Sequence, residues 1–194
     1  DPYILQPIPR SNFLTRCLDN VDRAGRGRAK VISILGDAGY GKSTVLGSVY
    51  DALTEWLDKG QLGWLGLARC DDLIGGVDQF REELGERLTG DRLDVVDIVA
   101  QRDGGDRPGV LLLDTLDIVL SPKLVVVLRQ LLPELLELGI TVIVTCRDRD
   151  YRDFFEPYHQ TFSGFREDVI QLKLPVFDLD EIPAAVDAFL QTQP

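Results

Sequence analysis

Methionine is absent from the 194 residues, histidine occurs once, asparagine only as Asn12 and Asn20, and cysteine only as Cys17, Cys70 and Cys146. Each scarcity excludes a class of function. An odd number of widely spaced cysteines without a CxxC pair argues against a disulfide framework or a zinc site and fits a reducing compartment, so a cytoplasmic location is expected. The single histidine, His159, has no cysteine or second histidine nearby and is read as a surface or packing residue. Neither asparagine is followed by lysine, so the Asn-Lys-x-Asp that a guanine-reading loop needs is missing and GTP is disfavoured. No apolar run reaches the roughly 18 residues of a bilayer span. The leucine-rich stretch 124–138 is broken by Arg129, Pro133 and two glutamates. No membrane partner is expected, and no signal peptide is visible. A chain that starts with Asp and contains no Met is expected to be a piece of a longer protein.

Basic charge is also short, with 21 Lys and Arg against 32 Asp and Glu and a formal charge of −11. A nucleic-acid binder needs a basic field to displace counterions, so direct nucleic-acid binding by this segment is not expected. The one basic cluster, Arg23, Arg26, Arg28 and Lys30, is interrupted by glycines and reads as a solvated connector. Apolar and charged contents of 44% and 27% are those of an ordinary globular chain. The length suits one domain with a sizeable core.

What the sequence does have is alternation. Short apolar runs at 31–35, 62–70, 110–114, 140–146 and 168–174 read as strands. Between them, helical spacing recurs: Val45, Leu46, Val49, Leu53, Trp56 and Leu57 over 43–58, then Val77, Phe80, Leu84 and Leu88, then 92–101. A last helix at 122–138 opens on Ser121-Pro122 and stops at Gly139, with Pro133 expected to kink or split it; Gly60 is expected to close the helix at 43–58. Strands that are apolar throughout and separated by helices predict a parallel sheet covered on both faces. The expected domains are a lead-in helix and connector (1–30), an α/β core (31–176) and the start of a helical subdomain (177–194), capped by Asp178 or Asp180.

The most informative stretch is "GDAGYGKST" (36–44), which satisfies G-x-x-x-x-G-K-[ST] between a strand and a helix. Gly36, Gly39 and Gly41 let the backbone curl into an anion nest, and the helix that follows adds the positive end of its dipole. Lys42 carries a compact charge for the β- and γ-phosphates, Ser43 a hydroxyl for Mg²⁺, and Thr44 a donor for the α-phosphate. Asp37, Ala38 and Tyr40 fill the variable positions, Asp37 and Tyr40 facing outward. The plain alternative is a chance glycine turn beside a surface lysine; the strand–loop–helix context favours a nucleotide loop.

"GVLLLDTLD" (109–117) supplies the acid that a phosphate-bound Mg²⁺ needs: Asp114 ends a buried strand, at the sheet edge where ligands collect. Its alternative is a strand-end cap. Asp117 could polarise an attacking water or be a solvated loop acid. Arg147, after "VIVTC" (142–146), could read the γ-phosphate with its planar fork, or pair with Asp148 or Asp150. Thr145 emerges at the same edge. Cys146 reads as a small buried group, and Trp56 and Trp64 as core. The mixed-charge run 146–156 reads either as a loop facing a neighbouring subunit or the nucleotide, or as solvated surface.

In this order and spacing, GDAGYGKST, LLLDTLD and VIVTCR resemble the nucleotide-binding core of STAND-class signalling ATPases, the bacterial NACHT-like and AAA+-related branch above all, over about residues 3–190. The resemblance implies a P-loop NTPase three-layer sandwich. Its five-stranded parallel sheet has the sensor strand inserted between the phosphate-loop and acidic strands. It also implies a switch that rests with ADP, binds ATP with Mg²⁺, hydrolyses slowly and self-associates when a sensor domain is engaged, as in bacterial defence or regulation. Two positions depart from the pattern. Thr115 stands where AAA+ relatives carry a glutamate, and Ile118 where NACHT relatives carry a second acid. A small-molecule kinase, its lid built from Arg147, Arg149, Arg152 and Arg166, and a binding-only nucleotide module are the competing expectations.

Overall fold

The computed structural model describes residues 10–73, 77–102, 107–119, 121–152 and 168–175. Expectations for His159, Arg166, the helix near 180–191 and the subdomain 177–194 lie outside the described residues. Helix α1 (Ser11–Arg26) precedes β1 (Val31–Leu35), α2 (Lys42–Asp58), β2 (Trp64–Arg69), α3 (Phe80–Thr89), α4 (Val95–Ala100) and β3 (Gly109–Asp114). A single turn α5 (Leu116–Val119), the long α6 (Pro122–Glu137), β4 (Ile140–Cys146), a turn α7 (Asp148–Asp150) and β5 (Val169–Lys173) complete it. No helix among the described residues is long and apolar enough to cross a membrane.

All five strands are parallel in the order β2-β3-β4-β1-β5. The insertion of β4 between β1 and β3 is therefore as the resemblance implied. β1, β3 and β4 are buried at every position, because parallel crossovers put helices on both faces. Alternate residues divide between two cores. Val31, Leu35, Leu111, Leu113, Val142 and Val144 face α3, α4 and α6, whereas Ile32, Ile34, Val110, Leu112 and Ile143 face α1 and α2. Each such buried side chain contributes about 1.5–3 kcal/mol, so these alternating sets hold the sheet between its helical layers. β2 and β5 are edge strands and are half open.

The helix stops fall where expected. Ser121 caps α6 by accepting the Leu124 N–H at 3.2 Å, and Gly139 ends it in the left-handed region at φ +74°. Gly60 follows α2 with its N–H on Leu57 O. Pro133, expected to kink or split α6, does not split it; the helix runs unbroken from Pro122 to Glu137. Burial of Leu128, Leu131, Leu132, Leu135 and Leu136 on both sides of the proline offsets the lost backbone bond.

Two further expectations need correction. The connector is not simply solvated: Lys30 Nζ at 2.9 Å and Arg28 at 3.0 Å both pair with Asp168, which is buried at the entry to β5. Nothing local signals this, since Lys30 and its acid are 138 residues apart. Trp56 and Trp64 are half-buried at the rims of the two cores rather than inside them.

Candidate nucleotide-binding site

Strand register assembles the site. Leu35 is level with Cys146, and Leu113 with Val144. The loop after β1, the acid ending β3 and the residues closing β4 therefore come out together at one sheet edge. The chain leaves β1 through residues 36–41 and re-enters structure as α2. Gly39 and Gly41 hold φ of +83° and +80°, with no heavy atom within 4 Å of where a Cβ would stand. Backbone angle, not crowding, is what selects glycine there. Gly41 caps α2 without any side-chain bond to the helix amides. The first N–H groups of a 17-residue helix consequently carry their partial positive charge toward the loop.

Asp37, Ala38 and Gly39 form the exposed tip of the loop, and Ser43 and Thr44 are exposed on the first turn of α2. Lys42 Nζ donates to Gly36 O at 2.8 Å and Asp37 O at 3.0 Å, so its ammonium lies against the carbonyls of its own loop. Tyr40 does not face outward as the sequence suggests. It is half-buried, packs on the α1–α2 core, and lies 3.5 Å from where a Cβ on the buried Gly36 would stand. An aromatic ring gains more from that apolar contact than from water.

Asp114 is buried and is the focus of three donors, all to Oδ1: Thr145 Oγ1 at 2.6 Å, the Thr115 N–H at 2.9 Å and Ser43 Oγ at 3.1 Å. The last bond joins the loop helix to the acidic strand. Oδ2 takes no hydrogen bond among the described residues. Thr115, standing in the AAA+ glutamate position, adopts φ +53°, an uncommon angle for a β-branched residue. Its hydroxyl lies 3.5 Å from Asp71 on the turn after β2.

Asp117 and Arg147 meet each other: Arg147 Nε lies 2.9 Å from Asp117 Oδ2. This is not the pairing with Asp148 or Asp150 weighed from sequence. Asp148 instead pairs with Arg152 and Lys173. The Asp117 side chain is 6% exposed, and its Oδ1 is buried with no hydrogen-bond partner among the described residues.

The surrounding field is acidic. Burial first, and then the charges of Asp114, Asp71 and Asp117, push the Cys70 thiol up to about 12. Burial, reinforced by Asp117, raises Cys146 as well. The hydrogen bond from Arg69 holds Asp71 below its ordinary value. Among the described residues no group of three or more His, Cys, Asp or Glu could hold a metal ion by itself. An Asp114 oxygen and the Ser43 hydroxyl do fit Mg²⁺ that arrives on phosphates, since Mg²⁺ is commonly bound by one or two carboxylates plus substrate oxygens.

The loop, Asp114 and Arg147 singled out from the sequence lie at one edge of the sheet. Sequence reasoning noted Thr145 only as emerging at the edge and assigned nothing to Asp71. The signal for Thr145 was available: it is one of two polar residues, with Thr141, in a buried and otherwise apolar strand, and the one nearer its carboxyl end.

Comparison with known proteins adds the fold. No protein-family model matches the chain, and no curated protein does. Among solved structures, Aeropyrum pernix ORC1 in complex with DNA is similar at a TM-score of 0.67 and 17% identity, covering 100% of this chain and 55% of that one. AMPPCP-bound DnaA from Aquifex aeolicus matches at a TM-score of 0.59 and 17% identity, covering 98% of this chain and 55% of that one. Pyrobaculum aerophilum Cdc6p matches at a TM-score of 0.58 and 16% identity, covering 99% and 53%. The fold shared with these proteins is the P-loop NTPase three-layer α/β sandwich around a five-stranded parallel sheet. At these identities the likeness is one of fold, and the chain spans about half the length of these proteins.

Proposed function

We propose that this chain is an ATP- and ADP-binding module that hydrolyses ATP slowly with Mg²⁺ and switches the assembly of a larger protein. The observation that carries the reading is the 3.1 Å bond from Ser43 to Asp114, which joins a glycine-curled helix N-terminus to a buried acid. A loop of this form binds phosphate through its amides. In the proposed bound state Gly36, Asp37, Ala38, Gly39, Tyr40 and Gly41 supply the cradle, Lys42 turns from its loop carbonyls to the β- and γ-phosphates, and Thr44 donates to the α-phosphate. Ser43 and Asp114 would hold Mg²⁺, which would supply positive charge to offset that of the phosphates.

Asp117 and Arg147 are the proposed catalytic pair. Among the described residues Asp117 Oδ1 has no donor, and an attacking water would supply one. Arg147 is half exposed and is held, among the described residues, by one ion pair, so a γ-phosphate can draw it from Asp117. ATP then frees the acid that its own hydrolysis requires. With Thr115 in the glutamate position, turnover is expected to be slow.

The finer assignment, a STAND-class NACHT-like switch that rests with ADP and self-associates with ATP, rests on the three sequence motifs. The structures bound to DNA do not extend that property here, because a charge of −11 opposes a DNA surface on this segment. A small-molecule kinase is the competing activity. The test is to release and identify the co-purifying nucleotide, then follow ATP turnover in wild type and Asp117→Ala. Bound ADP with slow turnover, abolished in the variant, supports the switch. Rapid phosphate transfer to an added small molecule contradicts it.

A further inference from the structure

Thr145 sits wholly buried in the middle of the sheet's ligand edge, where every other residue of β4 from 140 to 146 except Thr141 is apolar. Its hydroxyl is fully committed. It accepts the Thr115 N–H at 2.7 Å, and that donor fixes where its own proton goes, namely onto Asp114 Oδ1 at 2.6 Å. A hydroxyl with no exposure cannot itself touch a nucleotide. What it does is occupy, with the Thr115 amide and Ser43, the acceptor sites of one carboxylate oxygen and leave the other uncommitted.

The three donors are not equivalent. Ser43 lies on the exposed first turn of α2, on the loop side of the site, whereas Thr145 is carried by β4, the hydrogen-bonded neighbour of β3. Thr145 therefore keeps its position relative to Asp114 whatever the loop does. An oriented carboxylate binds metal better than one free to rotate about its χ2, because the ordering has been done before the metal arrives.

We propose that Thr145 is a positioning residue that holds the Asp114 carboxylate in one orientation, its Oδ1 occupied and its Oδ2 left uncommitted, ready for the magnesium of bound nucleotide. This rests on the nucleotide reading above. Loss of the hydroxyl releases the carboxylate and weakens Mg²⁺, while the amide cradle that grips the phosphates is untouched.

The experiment titrates Mg²⁺ into the 194-residue chain with a fluorescent ADP, and repeats ADP binding in EDTA, for wild type, Thr145→Val and Thr145→Ser. Thr145→Val, which keeps the shape and removes the hydroxyl, is expected to raise the Mg²⁺ midpoint about tenfold or more, as loss of a partner to a metal ligand typically does. Its ADP affinity in EDTA stays that of wild type, and Thr145→Ser restores the midpoint. An unchanged midpoint in Thr145→Val, or an equal loss of ADP affinity with and without Mg²⁺, overturns the proposal. Should Thr145→Val fail to fold, Thr145→Cys, a weak donor of similar size, carries the same expectation. Wild type that fails to bind ADP overturns the underlying nucleotide reading instead, and shows itself before any variant is compared.

Discussion

Arg147 and Asp117, thirty residues apart in sequence and on different elements, form one ion pair at 2.9 Å beside the phosphate loop. The pair is unequal: the carboxylate is almost wholly buried and the guanidinium is about half exposed. Removing the cation therefore leaves a buried charge without a partner, whereas removing the acid returns the arginine to water.

The first prediction follows from that inequality. Arg147→Ala should destabilise the fold by about 1–3 kcal/mol, Asp117→Asn by less, and the double variant by less than the sum. Urea unfolding of the four proteins checks it. Strict additivity would show that the pair carries no coupling.

Thr115 gives a second prediction. A β-branched residue at φ +53° carries roughly 1–2 kcal/mol of backbone strain that glycine lacks. Glycine's larger unfolded-state entropy cancels part of the gain, at roughly 0.5–1 kcal/mol. Thr115→Gly should thus be neutral or stabilising by up to about 1 kcal/mol. A clear loss of stability would mean that the weak contact from the Thr115 hydroxyl to Asp71 outweighs the strain.

The cysteines supply a third. Burial pushes Cys17 and Cys70 up to about 12 and raises Cys146 too. In the unfolded chain these thiols ionise near 8.5. The folded state then holds more protons than the unfolded one between about 8.5 and 12, so stability falls as pH rises through that window. Below it the contribution is fully present. At pH 8 the native protein should resist a thiol reagent and the urea-unfolded chain should react at three sites, Cys17, Cys70 and Cys146. Prompt labelling of the native protein would contradict the burial.

The legible part of this molecule was whatever sequence spacing encodes. Strand 140–146 was read to the residue, since a continuous apolar run bounded by glycine and arginine admits few endings. The loop at 36–44 was legible because backbone at φ of +80° to +83° selects glycine. Contacts between distant residues left no such mark. Asp168 clamping Lys30, Thr145 holding Asp114, and Tyr40 folding over Gly36 depend on the register of strands and loops that meet only after folding. Pro133 was read as kinking or splitting its helix, and the split does not occur, for a related reason: tertiary packing of five leucines holds the helix together across it.

The central claim is that the loop before α2 grips phosphate. Isothermal titration of ATP and ADP into wild type and Lys42→Ala, with Mg²⁺ present, tests it most directly. The account predicts saturable one-site binding by wild type and loss of most of that affinity when Lys42 is removed. Wild-type affinity in Lys42→Ala, or no binding by either protein, would contradict it.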